Sequence, residues 1–121
     1  MSNTVAVDLT ISSTPPSGAD FPTATVTAAA SKTRLWSKSE TFTRNLAGAV
    51  NTNIFPSAMT QVECLYVKVS GGSVTLKLTS AAGAAQIVPV DTFFVLITST
   101  QPLTAITVSG TADIEVFAAG Q

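Results

Sequence analysis

Hydrophobic and polar positions alternate with a period of two along most of this chain. Val5, Val7, Leu9 and Ile11 fall on one side of an extended segment and Thr4, Ala6, Asp8 and Thr10 on the other, which predicts a strand with one apolar face. Thr14-Pro15-Pro16-Ser17-Gly18-Ala19-Asp20 then interrupts the pattern, because two consecutive prolines cannot donate to a sheet ladder. Ala24 to Ala30 alternates more weakly, and its Thr/Val content favours strand or irregular structure over helix. Ala47 to Pro56 reads as a short strand or loop, and Pro56 to Gln61 as a single helical turn.

Beyond Gln61 the alternation is clearer. Val62 to Val69 is a strand, Ser70-Gly71-Gly72-Ser73 predicts a tight turn, and Val74, Leu76 and Leu78 alternate with Thr75, Lys77 and Thr79 on a returning strand. Gln86 to Val90 is a short strand with Pro89 at an edge. Thr92 to Thr98 is apolar on both faces, which predicts a strand covered on both sides. Leu103 to Val108 and Ala112 to Ala118 form a second hairpin around Ser109-Gly110-Thr111. Short strands separated by turn chemistry predict an all-β antiparallel fold, a sandwich or barrel. The expected organisation is an N-terminal strand or arm with its Pro-rich loop over 1–20, and a single β-sandwich domain over 21–121.

Composition narrows what such a domain can do. The 121 residues include no histidine and one cysteine, and only 11% are charged against 45% hydrophobic, with a formal net charge of −1. So little charge leaves the surface to hydroxyls and amides, or hides part of it in an assembly, and predicts a homo-oligomer. The N-terminus has neither the basic nor the long apolar region of a secretory signal, and no run is long enough for a membrane helix, so synthesis in a cytosol without membrane contact is expected.

Without histidine, a Ser-His-Asp arrangement and the commonest general base and zinc ligand are excluded. Cys64, alone in an apolar run, reads as a buried small hydrophobe. Asp113 and Glu115 are a close pair on one strand face. They could offer oxygen ligands to a hard cation, but the favoured reading is a solvated face near a sheet edge that discourages aggregation. Glu40, Glu63, Asp91 and Glu115 show no paired-carboxylate pattern, although sequence alone leaves their spatial arrangement open. The glycines lack the Lys-Ser/Thr signature of a phosphate loop. The expectation is a protein that is not an enzyme, with no catalytic residue, cofactor or metal site.

One segment concentrates charge. Residues 31–44 hold four of the six basic residues and the only tryptophan. In an extended conformation Lys32, Arg34, Trp36, Lys38, Glu40, Phe42 and Arg44 share one side. Lys32, Arg34, Trp36, Lys38 and Arg44 are therefore the candidate partner-binding residues. An acidic protein neighbour is favoured over nucleic acid, since the sequence pI near 5.0 is far from that of a dedicated nucleic-acid binder. The competing reading is a core-lining strand with Trp36 in the interior and cationic stems lying over it.

The runs Leu65-Tyr66-Val67-Lys68-Val69-Ser70-Gly71-Gly72-Ser73-Val74-Thr75-Leu76-Lys77-Leu78 and Ile106-Thr107-Val108-Ser109-Gly110-Thr111-Ala112-Asp113-Ile114-Glu115-Val116 resemble the small β-rich virion structural proteins of tailed bacteriophages. The resemblance covers mainly residues 62–118 and lies in overall style, not in a motif. It implies a β-sandwich or jelly-roll module that decorates or cements a capsid, made in the host cytoplasm and carried in the virion. Its partners would be capsid or other virion proteins and further copies of itself, with a trimer favoured. The alternatives are a tail or fibre component, or a carbohydrate-binding module in which Trp36 or Tyr66 stacks on a sugar.

Overall fold

The structure is a computed structural model that describes residues 3–13, 24–34, 36–98 and 100–121, with side chains from Trp36 onward. The described residues are all-β, without helix, and divide into two compact units, Met1–Leu35 and Trp36–Gln121. In the first unit β1 (Asn3–Ser13) pairs antiparallel with β2 (Ala24–Arg34) along its whole length. The N-terminal segment is thus one half of a two-stranded ribbon whose return strand begins at Ala24. The Pro15-Pro16 segment predicted as a loop lies outside the described residues.

The second unit, the body, is one antiparallel sheet built from β3 (Lys38–Asn53), β4 (Val62–Ser80), β5 (Ala85–Val90), β6 (Phe93–Ile97) and β7 (Leu103–Gly120). Its order is β3-β7-β4-β5, with β6 also on β4, ahead of β5. Partner numbers fall along β7 as they rise along β4. Leu65 lies opposite Ala118, Val67 opposite Val116 and Leu76 opposite Val108, so these two central strands run antiparallel.

Neither predicted hairpin in this half of the chain forms. β4 runs through Ser70-Gly71-Gly72-Ser73 and β7 through Ser109-Gly110-Thr111, each as a single strand. The reason lies in the register. From Ile106 to Ala118 on β7 the buried positions Ile106, Val108, Ala112, Ile114, Val116 and Ala118 are even, whereas from Leu65 to Leu78 on β4 they are odd before the glycines (Leu65, Val67, Val69) and even after them (Val74, Leu76, Leu78). Residues directly opposite each other share a face, so an unbroken ladder could match only one half of β4. Between the pairs Ser70/Asp113 and Ser73/Thr111, β4 advances three residues and β7 two. That extra residue is a β-bulge, and it brings both halves of β4 to the core side.

The same line is marked on every strand. β3 bulges twice against β7, between Leu46 and Ala49 and between Ala49 and Thr52, with Gly48 and Asn51 at positive φ. Gly48 N–H donates to Thr111 Oγ1 and Asn51 N–H to Ser109 Oγ, both at 2.9 Å, so β7 hydroxyls meet backbone donors that the bulges take out of the ladder. On the other side of β4, β5 ends at Val90 and β6 starts at Phe93, leaving Asp91 and Thr92 at the break. The sheet bends here. Leu103 is a ladder partner of both Ser80 and Val62, at opposite ends of a strand that would span about 60 Å if straight.

Bending brings the two halves onto one hydrophobic cluster that includes Leu65, Val67, Leu76, Leu78, Ile106, Val108 and Val116, with Ile54 and Met59 from the β3–β4 connection. That connection contains a turn closed by Met59 N–H donating to Pro56 C=O, in place of the predicted helical turn. The chain end is tied in by reciprocal N–H to C=O bonds between Gln61 and Gln121, each 2.9 Å.

Two glycines at the bend have no room for a side chain. A Cβ on Gly72 would run into the Thr111 carbonyl, and one on Gly110 into the Ser73 carbonyl, at a φ of +133° that L-residues avoid. Gly83, in the turn after β4, has positive φ but open space around it. Gly110→Ala is therefore expected to lower unfolding free energy by about 3 kcal/mol and Gly83→Ala by about 1 kcal/mol, measured by denaturant titration. Equal losses would contradict the interlock.

Candidate functional site

The basic-aromatic stripe is divided between the two units. β2 ends at Arg34 and β3 begins at Lys38, so Lys32 and Arg34 belong to the ribbon and Lys38 and Arg44 to the body. Lys32 stands opposite Val5 and Arg34 opposite Asn3 in the ribbon register, and their side chains lie outside the described residues. Trp36, between the strands, is 1% exposed. It presents no indole face to a sugar or base, and its Nε1–H donates to Glu63 Oε2 at 2.7 Å.

The body half of the stripe lines the core. Phe42, opposite Val116, packs against the hydrophobic cluster, and the Arg44 guanidinium lies over the Phe42 ring, 5.9 Å from its centroid. Lys38 and Arg44 remain exposed at the rim of β3. This is the core-lining arrangement, with cationic stems over apolar surface.

The opposite face of the body carries the chemistry that the sequence scattered. Across β3, β7, β4 and β6 the ladder aligns Thr43, Glu115, Lys68 and Phe93 in one row and Thr41, Phe117, Tyr66 and Val95 in the next. Asp113 and Glu115 do sit on one strand face, but β7 is an interior strand and not an edge. Asp113 Oδ1 accepts from Asn45 Nδ2 and Glu115 is placed opposite Lys68, so the two carboxylates belong to a mixed-charge surface. Arg44, Asn45, Lys68, Asp113 and Glu115 border a shallow cleft of about 370 Å³. Among the described residues no group of three or more metal-binding side chains occurs. One row further along this face, Cys64 is buried opposite Ala119 and Ile97, and burial pushes its thiol pKa up.

A second groove, about 360 Å³, opens between β5 and β6. Val88, Phe94, Leu96 and Leu103 line it with Gln86 and Gln101. β6 was expected to be covered on both faces. Instead it is an edge strand whose Phe94 and Leu96 pack on the core while Phe93 is 50% and Val95 37% exposed. The signal for an exposed apolar edge was present in the run Phe93 to Ile97, but period-2 reasoning cannot tell an edge strand from a central one.

Comparison with family models, curated proteins and solved structures finds no match for the chain.

Trp36→Phe removes the donor to a buried carboxylate together with the second ring of a fully buried indole. It should cost about 1.5–3 kcal/mol of unfolding free energy in a denaturant titration. A loss within about 0.5 kcal/mol of zero would show that the bond contributes little.

Proposed function

We propose that this chain is a non-enzymatic structural protein of a viral particle, a capsid decoration or cement protein that binds the shell through β-surfaces and its N-terminal ribbon. The observation that carries this reading is the ribbon. Its register puts Val5, Val7, Leu9 and Ile11 of β1 on the same face as Lys32, Ala30, Ala28 and Val26 of β2, an apolar stretch that ends at Lys32 and the Asn3–Arg34 pair. The other face carries Thr4, Ala6, Asp8, Thr10 and Ser12 with Thr25, Thr27, Ala29, Ser31 and Thr33. A two-stranded ribbon cannot bury such a face within itself and is marginal alone in water. A protein surface that takes up this face gains apolar burial, and an exposed sheet edge gains backbone hydrogen bonds, both with little need for charge.

The body suits the same role. We read its bent sheet as a jelly-roll-like β-sandwich, the two layers being the halves on either side of the glycine line. A surface dominated by hydroxyls and amides lets copies crowd on a shell without strong mutual repulsion. The burial of Trp36 removes one of the two rings, Trp36 and Tyr66, on which the carbohydrate-binding alternative rests. The protein would act in the virion as a homo-oligomer after synthesis in the host cytoplasm.

Leu9→Asp tests this reading, because it places a charge among the apolar odd-numbered positions of β1 and changes no residue of the body. Co-sedimentation with shells assembled without the protein should fall by about tenfold or more, while the body's thermal transition stays in place. Undiminished shell binding by a folded Leu9→Asp chain would sink it.

A further inference from the structure

The body's sheet has β3 at one outer edge and β5 and β6 at the other, and β3 and β6 are built differently. β3 carries Lys38, Glu40 and Arg44 and is interrupted by its two bulges, all features that make an edge a poor template for another strand. β6 has none of these. From Leu78 to Ile114 the only charges are Asp91 and Asp113, and neither lies within β6.

The free side of β6 can be identified from its ladder. Thr98 N–H donates to Glu63 C=O and Val69 N–H to Thr92 C=O, both at 2.8 Å. Even-numbered residues of this strand therefore turn their backbone groups towards β4. By the alternation of an antiparallel ladder, the N–H and C=O of Phe93, Val95 and Ile97 turn the other way. Among the described residues no strand pairs on that side. The same residues include the exposed Phe93 and Val95, so unpaired backbone and uncovered apolar side chains coincide.

We propose that β6 pairs antiparallel with β6 of a second copy of the chain, across a two-fold axis at Val95. The strand reads Phe93-Phe94-Val95-Leu96-Ile97, and this register sets Val95 against itself, Phe93 against Ile97 and Phe94 against Leu96. Every facing pair is then apolar, the outer ones aromatic against β-branched, which are favourable cross-strand combinations. No like charges meet, and both copies use the same residues, as a closed two-fold contact requires. The sheet continues from β4 through β6 into the second copy, and the groove bordered by Phe94 and Leu96 gains a further wall. A five-residue edge covers less than the roughly 800 Å² per partner of a standard interface, so the dimer dissociates on dilution. The inference names the contact behind the proposed homo-oligomer, and it predicts dimers where the phage resemblance favours trimers.

Sedimentation of the full chain over a concentration series, without shells, should show a reversible monomer–dimer equilibrium. Val95→Lys brings two ammonium groups together on the axis and should leave only monomer at concentrations where the unaltered chain is dimeric. Val95→Cys should form a disulfide-linked dimer under mild oxidation, because directly paired residues lie about 5.5 Å apart at Cα, within disulfide reach. Ile87→Cys, at a position 68% exposed on β5, should cross-link no faster than background. A monomer at every concentration, a trimer, a dimer that survives Val95→Lys, or equal cross-linking of the two cysteine variants would overturn the proposal. Because no shell is present, failure here leaves the shell-binding reading to its own test.

Discussion

Two residues that face each other across a β-ladder lie on the same side of the sheet, and in the centre of this protein that rule meets a hydrophobic pattern that changes phase on one strand only. β7 keeps its buried residues at even positions from Ile106 to Ala118, while β4 switches from odd to even between Val69 and Val74. One inserted residue at Gly71-Gly72 reconciles them. The bend in the sheet, the meeting of Leu103 with both ends of β4 and the shared core all follow from that insertion. The bend is held by close backbone approach at Gly72 and Gly110 and by the Ser109 and Thr111 hydroxyls, which serve the displaced donors of β3.

A sheet bent in this way keeps two outer edges, and the chain treats them unequally. Charge and bulges fall on β3, whereas β6 is left apolar, with its outward backbone groups unpaired among the described residues. In the N-terminal ribbon the register sets Val7, Leu9 and Ile11 opposite Ala30, Ala28 and Val26. The proposed function uses surfaces that another chain completes, and low overall charge is consistent with that, since close packing of copies costs little electrostatically.

Strand positions and the odd-to-even switch were legible in the sequence. Val5 to Ile11, Val62 to Val69 and Ala112 to Ala118 alternate plainly enough to place the strands, and Ala112 to Ala118 to place its buried face as well. What local patterning could not supply was connectivity. Gly71-Gly72 is as good a hairpin signal as it is a bulge signal, and only the partner strand, more than thirty residues away, decides between them. The same limit applies to the candidate site. Lys32 to Arg44 forms a stripe only if the chain stays extended, but β2 ends at Arg34 and Trp36 turns inward to Glu63, a partner far along the chain. The alternative core-lining reading of this segment put Trp36 in the interior, which is where it lies.

The register argument is tested most directly by removing the inserted residue. Deletion of Gly71 forces Val74, Leu76 and Leu78 onto the wrong face or breaks the ladder to β7, whereas deletion of Gly83 shortens an exposed turn. Measured by thermal unfolding, the account predicts that the chain lacking Gly71 loses its cooperative transition and the chain lacking Gly83 retains one. A chain without Gly71 that unfolds as cooperatively and at the same temperature as the intact protein would contradict it.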